Sequence, residues 1–101
     1  MICVIAAIKA KTGQRNALLE CIKDNLPNVH AETGCIEYQP MVDIESSLGA
    51  QGLDETVVTM VEKWETMANL NAHAVAPHML EYREKVKDIV ESVSLKVLTA
   101  A

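Results

Sequence analysis

The residues best suited to chemistry lie between positions 62 and 78: one carboxylate, one indole and two imidazoles. Glu62 and Trp64 are two residues apart in a predicted strand, so both side chains point to the same face. His73 and His78 are five residues apart, which on an unbroken helix would turn them about 140° from each other. The helix breaks at Pro77, and this break allows both imidazoles to face one cavity. Because histidine changes charge near neutral pH, the group predicts proton transfer involving a bound small molecule, with Glu62 orienting a histidine or contacting the substrate.

Each of these side chains also has a plainer structural explanation. A histidine at a helix end, such as His73 or His78, often serves only to cap the helix or to line a cavity. Trp64, the only tryptophan, is as well suited to anchor a core or an interface as to form the wall of a pocket for an aromatic molecule. Glu62 could instead form an ion pair with a helix cation. The residue types therefore define a candidate catalytic set and leave both explanations open.

Two tyrosines and a metal site are further candidates. Tyr38 could donate a hydrogen bond to a developing anion, although it also fits an ordinary position in a sheet, and Tyr82 lies one helical turn after His78. We assign both tyrosines to substrate binding. His73, His78 and Glu62 could in principle form a two-histidine, one-carboxylate metal site. Their spacing lacks the i,i+4 pairing of ligands carried on one helix, so we expect no metal.

Hydrophobic periodicity predicts the elements that must position these side chains. Strands are predicted over residues 1–8, 35–43 and 56–64 and around residues 93–97, and helices over 14–31, 66–74 and 77–91. Pro27 predicts a kink or an early end of the first helix, Pro40 predicts an edge or a bulge in the second strand, and residues 44–56 read as a long, mobile loop. The order β-α-β-β-α-β, with its second helical region broken at Pro77, predicts an α+β, ferredoxin-like fold with a four-stranded antiparallel sheet.

Composition and pattern together predict a single domain that pairs with a second copy. The chain has 101 residues, half of them hydrophobic, so we expect one domain over 1–101. In the first strand, residues on both faces are apolar, with Val4 and Ile8 on one side and Cys3, Ile5 and Ala7 on the other. Helices on one face of the sheet would leave the other face uncovered. We therefore expect a homodimer in which two sheets pack against each other.

Charge and cysteine usage exclude several classes of partner. The net charge of −5 offers no basic stripe for phosphates, so we expect neither nucleic acid nor an anionic membrane as a partner. The apolar segment 1–8 is too short to span a bilayer. Cys3, Cys21 and Cys35 form neither a CxxC pair nor a zinc-ligand pattern, and reduced, buried thiols are the simplest interpretation. We therefore expect a cytoplasmic protein.

With these residues in place, the chain resembles the antibiotic biosynthesis monooxygenase family. The resemblance rests on an E-x-W strand end at Glu62 and Trp64, followed by a helical H-x-x-x-P-H run that contains His73, Pro77 and His78. Element order and the Ala-Lys-x-Gly-Gln pattern at residues 10–14 extend it over essentially the whole chain. The resemblance implies a dimeric α+β barrel with an aliphatic cavity between the sheet and the helices.

The resemblance also implies a cofactor-independent monooxygenase that acts with dioxygen on a quinol or polyphenol-like aromatic molecule. In that reaction His78 or His73 would transfer the proton, Trp64 would form a pocket wall and Glu62 would orient a histidine. Neither metal nor flavin is required. Haem degradation is doubtful, because the related haem enzymes use an asparagine in the first strand, where this chain has Val4-Ile5-Ala6-Ala7. Two alternatives remain: isomerisation or degradation of a small phosphorylated signal such as autoinducer-2, and a non-catalytic dimer that binds a small apolar ligand.

Overall fold

The four strands form one antiparallel sheet. The computed structural model describes residues 1–101. The strands are β1 (Ile2–Ala10), β2 (Cys35–Met41), β3 (Val57–Trp64) and β4 (Val90–Leu98), arranged in the order β2-β3-β1-β4. Three helices connect them: α1 (Arg15–His30), α2 (Met67–Ala74) and α3 (Pro77–Val86). This arrangement confirms the predicted α+β, ferredoxin-like fold, including the break between the second and third helices.

One face of the sheet, here called the inner face, packs against the helices. The two-residue alternation of the strands explains which side chains it carries. The buried members are Val4, Ala6, Ile8 and Ala10 from β1, Tyr38 and Pro40 from β2, and Val58, Met60, Glu62 and Trp64 from β3. Leu18, Ile22 and Val29 of α1 complete the core from the helix side. A carboxylate therefore lies inside an otherwise apolar layer.

Helix α1 passes through Pro27 without ending, so the predicted early stop is wrong. The helix runs to His30, with Pro27 inside it. A proline within a helix removes one backbone hydrogen bond and costs about 3 kcal/mol. Burial of Val29, on the same stripe as Leu18 and Ile22, supplies the reason for the helix to continue for another turn.

The other element boundaries agree with the prediction within a few residues, except at the end of α3. This helix ends at Val86 rather than near residue 91, because Val90 already pairs with Ala10 as part of β4. The two predicted helix starts are confirmed: the Thr66 hydroxyl accepts a hydrogen bond from the Asn69 amide at 3.1 Å, and Pro77 occupies the first turn of α3. Strand β2 is an edge strand, as Pro40 predicts.

Strand β4 is the least covered part of the sheet. It pairs with β1 along its length, but it makes few contacts with any helix. Its inner-face residues Val93, Leu95 and Val97 are consequently 59%, 61% and 47% exposed. On the outer face, away from the helices, Ile5 is also exposed at the centre of β1. A single chain is described, so the predicted homodimer stays a prediction. No helix has both the length and the apolar character needed to cross a membrane.

Candidate active site

A cavity of about 570 Å³ lies between the inner face of the sheet and helices α2 and α3. Its volume is that of a typical small-molecule site. Fifteen of its twenty lining residues are hydrophobic, and the uncovered side of β4 forms one of its walls. The polar side chains at the cavity include Glu62 from β3, His73 from α2 and Arg83 from α3. A few polar groups in an apolar enclosure can orient a ligand and exclude water from it.

Four of the six predicted site residues line this cavity, and two do not. The four are Glu62, His73, Tyr38 and Tyr82. Trp64 is fully buried behind the cavity, where its ring packs against His73 with the ring centroids 4.6 Å apart. His78 lies against a separate crevice of about 90 Å³, beside Asn25 of α1. The break at Pro77 thus brings one imidazole to the cavity and directs the other toward α1.

Glu62 and Trp64 form a pair within β3. The Trp64 indole Nε1 donates a hydrogen bond to Glu62 Oε1 at 3.0 Å, and Glu62 is only 6% exposed. Burial raises the pKa of Glu62 above its ordinary value, although the Trp64 hydrogen bond and the nearby His73 act in the opposite direction. The alternative ion pair with a helix cation is not formed. Arg83 instead donates from Nη1 to the carbonyl oxygen of Ala74 at 2.7 Å.

The carboxylate that contacts the histidines is Glu32, which the sequence reasoning missed. Glu32 Oε2 lies 2.7 Å from His73 Nδ1, and this contact has hydrogen-bond geometry. The same oxygen lies 3.2 Å from His78 Nε2. That second contact is not aligned as a hydrogen bond, and His78 Nε2 is the one buried side-chain nitrogen or oxygen without a hydrogen-bond partner. Glu32 therefore lies between the two imidazoles.

Glu32 reaches this position through the turn that follows α1. Its backbone amide donates to the Val29 carbonyl at 3.0 Å, which continues the helix end into the turn. The turn finishes at Gly34, whose φ of +79° is unfavourable for residues with a side chain. A Cβ atom at Gly34 would also overlap the side chain of Asn69 in α2. Glycine thus lets the end of α1 approach α2, and no local spacing could reveal this because Glu32 and His73 are 41 residues apart.

The two cavity tyrosines are hydrogen-bond donors at neutral pH. Burial is the largest cause that raises the pKa of Tyr38 far above its ordinary value, and the nearby Glu62 raises it further. Burial likewise raises the pKa of Tyr82 to about 12. Tyr38 also contacts His73 edge-on, with ring centroids 5.3 Å apart. Both hydroxyls keep their protons and can stabilise negative charge on a bound molecule.

No group of three His, Cys, Asp or Glu side chains in the structure is arranged to hold a metal ion. Glu62 bonds Trp64, whereas His73 and His78 flank Glu32, so the three residues considered as a metal site face different partners.

The fold and site together define a class: a small α+β domain with an apolar cavity and one carboxylate-held histidine at its wall. Residues 1–85 match the family described as antibiotic biosynthesis monooxygenase. The chain is 38% identical over 100 residues to an Escherichia coli protein named "Probable quinol monooxygenase YgiN", covering 97% of this chain and 96% of the relative. The chain belongs to the antibiotic biosynthesis monooxygenase family, as its resemblance predicted.

Solved structures share this fold. Protein SO0527 from Shewanella oneidensis superposes with a TM-score of 0.81 at 26% identity, over 96% of this chain and 87% of that one. PA3566 from Pseudomonas aeruginosa superposes with a TM-score of 0.83 over 99% of this chain and 93% of that one. At 24% identity, the second comparison shows the fold alone.

Proposed function

We propose that this protein is a cofactor-independent monooxygenase acting on a quinol or polyphenol-like aromatic molecule, with His73 as the general base. The observation that carries the proposal is the position of His73: it lines an apolar cavity while its Nδ1 is held by Glu32. The name of the Escherichia coli relative supports a quinol as the substrate class. His73 takes the role that the sequence divided between His73 and His78, because only His73 borders the cavity.

The reaction needs a base, stabilisation of an anion and exclusion of water. Removal of a hydroxyl proton by His73 makes the ring electron-rich enough to give one electron to dioxygen. The substrate radical and superoxide then combine at a ring carbon to form a peroxide. Loss of water gives the product, so that one hydroquinone and one dioxygen become one hydroxyquinone and one water. The Tyr38 and Tyr82 hydroxyls are available to stabilise the anion, and a ring bound against the aliphatic lining would displace water from the space beside His73.

The cavity favours this proposal over the two alternatives. A phosphorylated signal would need a cluster of cations, but fifteen of the twenty residues that line the cavity are hydrophobic, and Arg83 and Lys87 are its only arginine and lysine. A purely binding role would require neither a base nor its carboxylate partner, whereas His73 and Glu32 meet at the cavity wall.

The test is oxygen consumption with isotope labelling. Purified protein with a naphthohydroquinone or an anthrone should consume dioxygen faster than the same solution without protein, and EDTA should not slow it. Under ¹⁸O₂, the product should gain one labelled oxygen atom. A binding protein would give only the background rate, and a simple oxidase would give unlabelled quinone. Either result across the tested compounds would contradict the proposed function.

We propose in addition that the working form is a homodimer formed through the outer face of the sheet. The central strands carry an apolar group on that face, in which Ile5 is exposed and Cys3, Ala7 and Val61 are half-buried in one chain. In sedimentation equilibrium the protein should have twice the mass of one chain, and Ile5→Lys should reduce it to one. Leu80→Lys replaces an exposed apolar residue on α3, away from that face, and should leave the dimer intact. A monomeric parent protein at micromolar concentration would rule this interface out.

A further inference from the structure

We infer that Glu32 is a positioning residue that determines which ring nitrogen of His73 carries the proton, and that His78 holds Glu32 in place from the other side. The chemical consequence rests on the proposed function. The geometric claim does not, because the protonation of an imidazole can be observed without turnover. Neither Glu32 nor His78 lines the cavity. The inference assigns a role to each: Glu32 positions His73, and His78 holds Glu32.

The first step of the argument concerns the contact between Glu32 and His73. An ionised carboxylate can only accept hydrogen bonds, so the 2.7 Å contact requires a proton on His73 Nδ1. Neutral imidazole has one N–H, and Nε2 is then the basic nitrogen. No residue of the chain forms a hydrogen bond with His73 Nε2, and the ring lines the cavity. Glu32 thus leaves the free lone pair of His73 available to a bound molecule.

The second step concerns His78, whose proton is directed by two asparagines. Asn28 Nδ2 donates to Asn25 Oδ1 at 3.0 Å, which orients the Asn25 amide. The Nδ2 group of Asn25 then faces His78 Nδ1 at 3.2 Å and donates to it. His78 Nδ1 is therefore an acceptor, and the proton of the neutral ring is on Nε2, which faces Glu32 Oε2. His78 acts as a second positively polarised group beside the carboxylate.

The third step follows from burial. The Glu32 side chain is 15% exposed, and those of His73 and His78 are 6% and 20% exposed. A carboxylate in such a place needs polarised hydrogens around it: His73 supplies one through a hydrogen bond, and His78 Nε2 lies 3.2 Å away as an electrostatic contact. If His78 is replaced, Glu32 keeps its hydrogen bond to His73; if His73 is replaced, Glu32 keeps only the unaligned 3.2 Å contact with His78 Nε2. If Glu32 is replaced, His73 Nδ1 has no hydrogen-bond partner. Nothing else in the chain then favours the tautomer in which Nε2 is the basic nitrogen.

The test reads the tautomer of His73 by ¹⁵N NMR at a pH where imidazoles are neutral. The chain has only three histidines, so His30→Gln and His78→Gln assign the signals. In the parent protein His73 should show a protonated Nδ1 and a bare Nε2. Glu32→Ala should give a mixture of the two tautomers. Glu32→Gln keeps the size of the side chain but offers both a donor and an acceptor, so it should also abolish the single tautomer.

The same variants should show a matching kinetic effect. In Glu32→Ala, kcat should fall by about 10- to 1000-fold with KM changed less than about threefold, because orientation is lost and the cavity is not. His78→Gln should keep the His73 tautomer and lose less than about 10-fold. Glu20→Gln, an exposed carboxylate on α1, is the matched control and should equal the parent.

Two results would overturn the inference. One is a parent protein in which His73 carries its proton on Nε2, and the other is a Glu32→Ala variant that is folded and retains the single Nδ1–H tautomer. If the tautomer changes as expected but no compound is oxygenated by the parent, the proposed function fails while the positioning by Glu32 stands. The two ideas are therefore tested separately.

Discussion

Replacing His73 by glutamine is expected to lower kcat of the proposed oxygenation by about 10²- to 10⁴-fold, the range that a general base contributes. The imidazole is the one histidine ring at the cavity, and its Nε2 has no other partner within the chain. Glutamine is similar in length, and its amide can still donate to Glu32, so the cavity wall should remain in place. Initial rates of labelled product under ¹⁸O₂ measure the loss, and KM should change little because the apolar walls are untouched.

Two other histidine variants make this result specific. His30→Gln replaces an exposed imidazole whose contact is to the Tyr38 carbonyl, a bond that an amide can also make, and it should have parental activity. His78→Gln should lose far less than His73→Gln. A folded His73→Gln protein that keeps more than a tenth of parental kcat would show that another group removes the proton, and an equal loss in His78→Gln would move the base to His78.

The largest expected effect on stability is that of Trp64→Ala, which should lower the free energy of unfolding by about 3–5 kcal/mol. Trp64 has no solvent exposure, and its ring packs directly against His73. Its removal leaves a cavity and also takes from Glu62 its hydrogen-bond donor. Urea unfolding followed by circular dichroism is the appropriate measurement, because Trp64 is the only tryptophan and its fluorescence is lost with it. Protein concentration must be fixed throughout, since dimer formation would shift the midpoint.

Substitutions at the Trp64–Glu62 pair separate packing from polarity. Trp64→Phe keeps an aromatic ring but leaves Glu62 without its hydrogen-bond donor. Loss of that hydrogen bond should lower the free energy of unfolding by about 1–3 kcal/mol. Glu62→Gln keeps an acceptor for the Trp64 N–H and removes the ionisable group. If Trp64→Ala destabilised the protein no more than Trp64→Phe, the packing of the indole would contribute little and the explanation would be wrong.

Glu62→Gln should also change how stability depends on pH. Burial raises the pKa of Glu62 above its ordinary value of 4.5, so the folded protein holds that proton more tightly than the unfolded chain does. The contribution of Glu62 to the stability of the folded protein is therefore most favourable below pH 4.5. It declines as the pH rises through the raised pKa of this carboxyl group. Relative to the parent, Glu62→Gln should gain stability over that interval.

The sequence predicted the fold well because its signals are local. Alternation in β3, the Thr66 cap and Pro77 at the start of α3 each determine structure within a few residues. The exception is Pro27, where the local preference for a break yields to the burial of Val29. Burial of Val29 depends on tertiary packing, and the sequence immediately around a proline does not indicate such packing.

The candidate site was only partly predictable, for a related reason. Glu62 and His73 could be placed at the cavity because strand alternation and the helix after β3 put them there. The direction of His78 depends on how α3 packs against α1, which spacing along the chain does not determine. Glu32 lies in a turn far from both histidines, and its approach depends on Gly34 and the contact with α2.

The bare inner side of β4 has a consequence for selectivity. The wall near His73 is closely packed, since Trp64 and Tyr38 both contact that ring. Val93, Leu95 and Val97 are exposed on a strand that makes few contacts with any helix, so their side chains have room to adjust. For the aromatic substrate proposed above, we therefore expect the site to be selective for the ring beside His73 and to accept alkyl substituents of different lengths along the open flank.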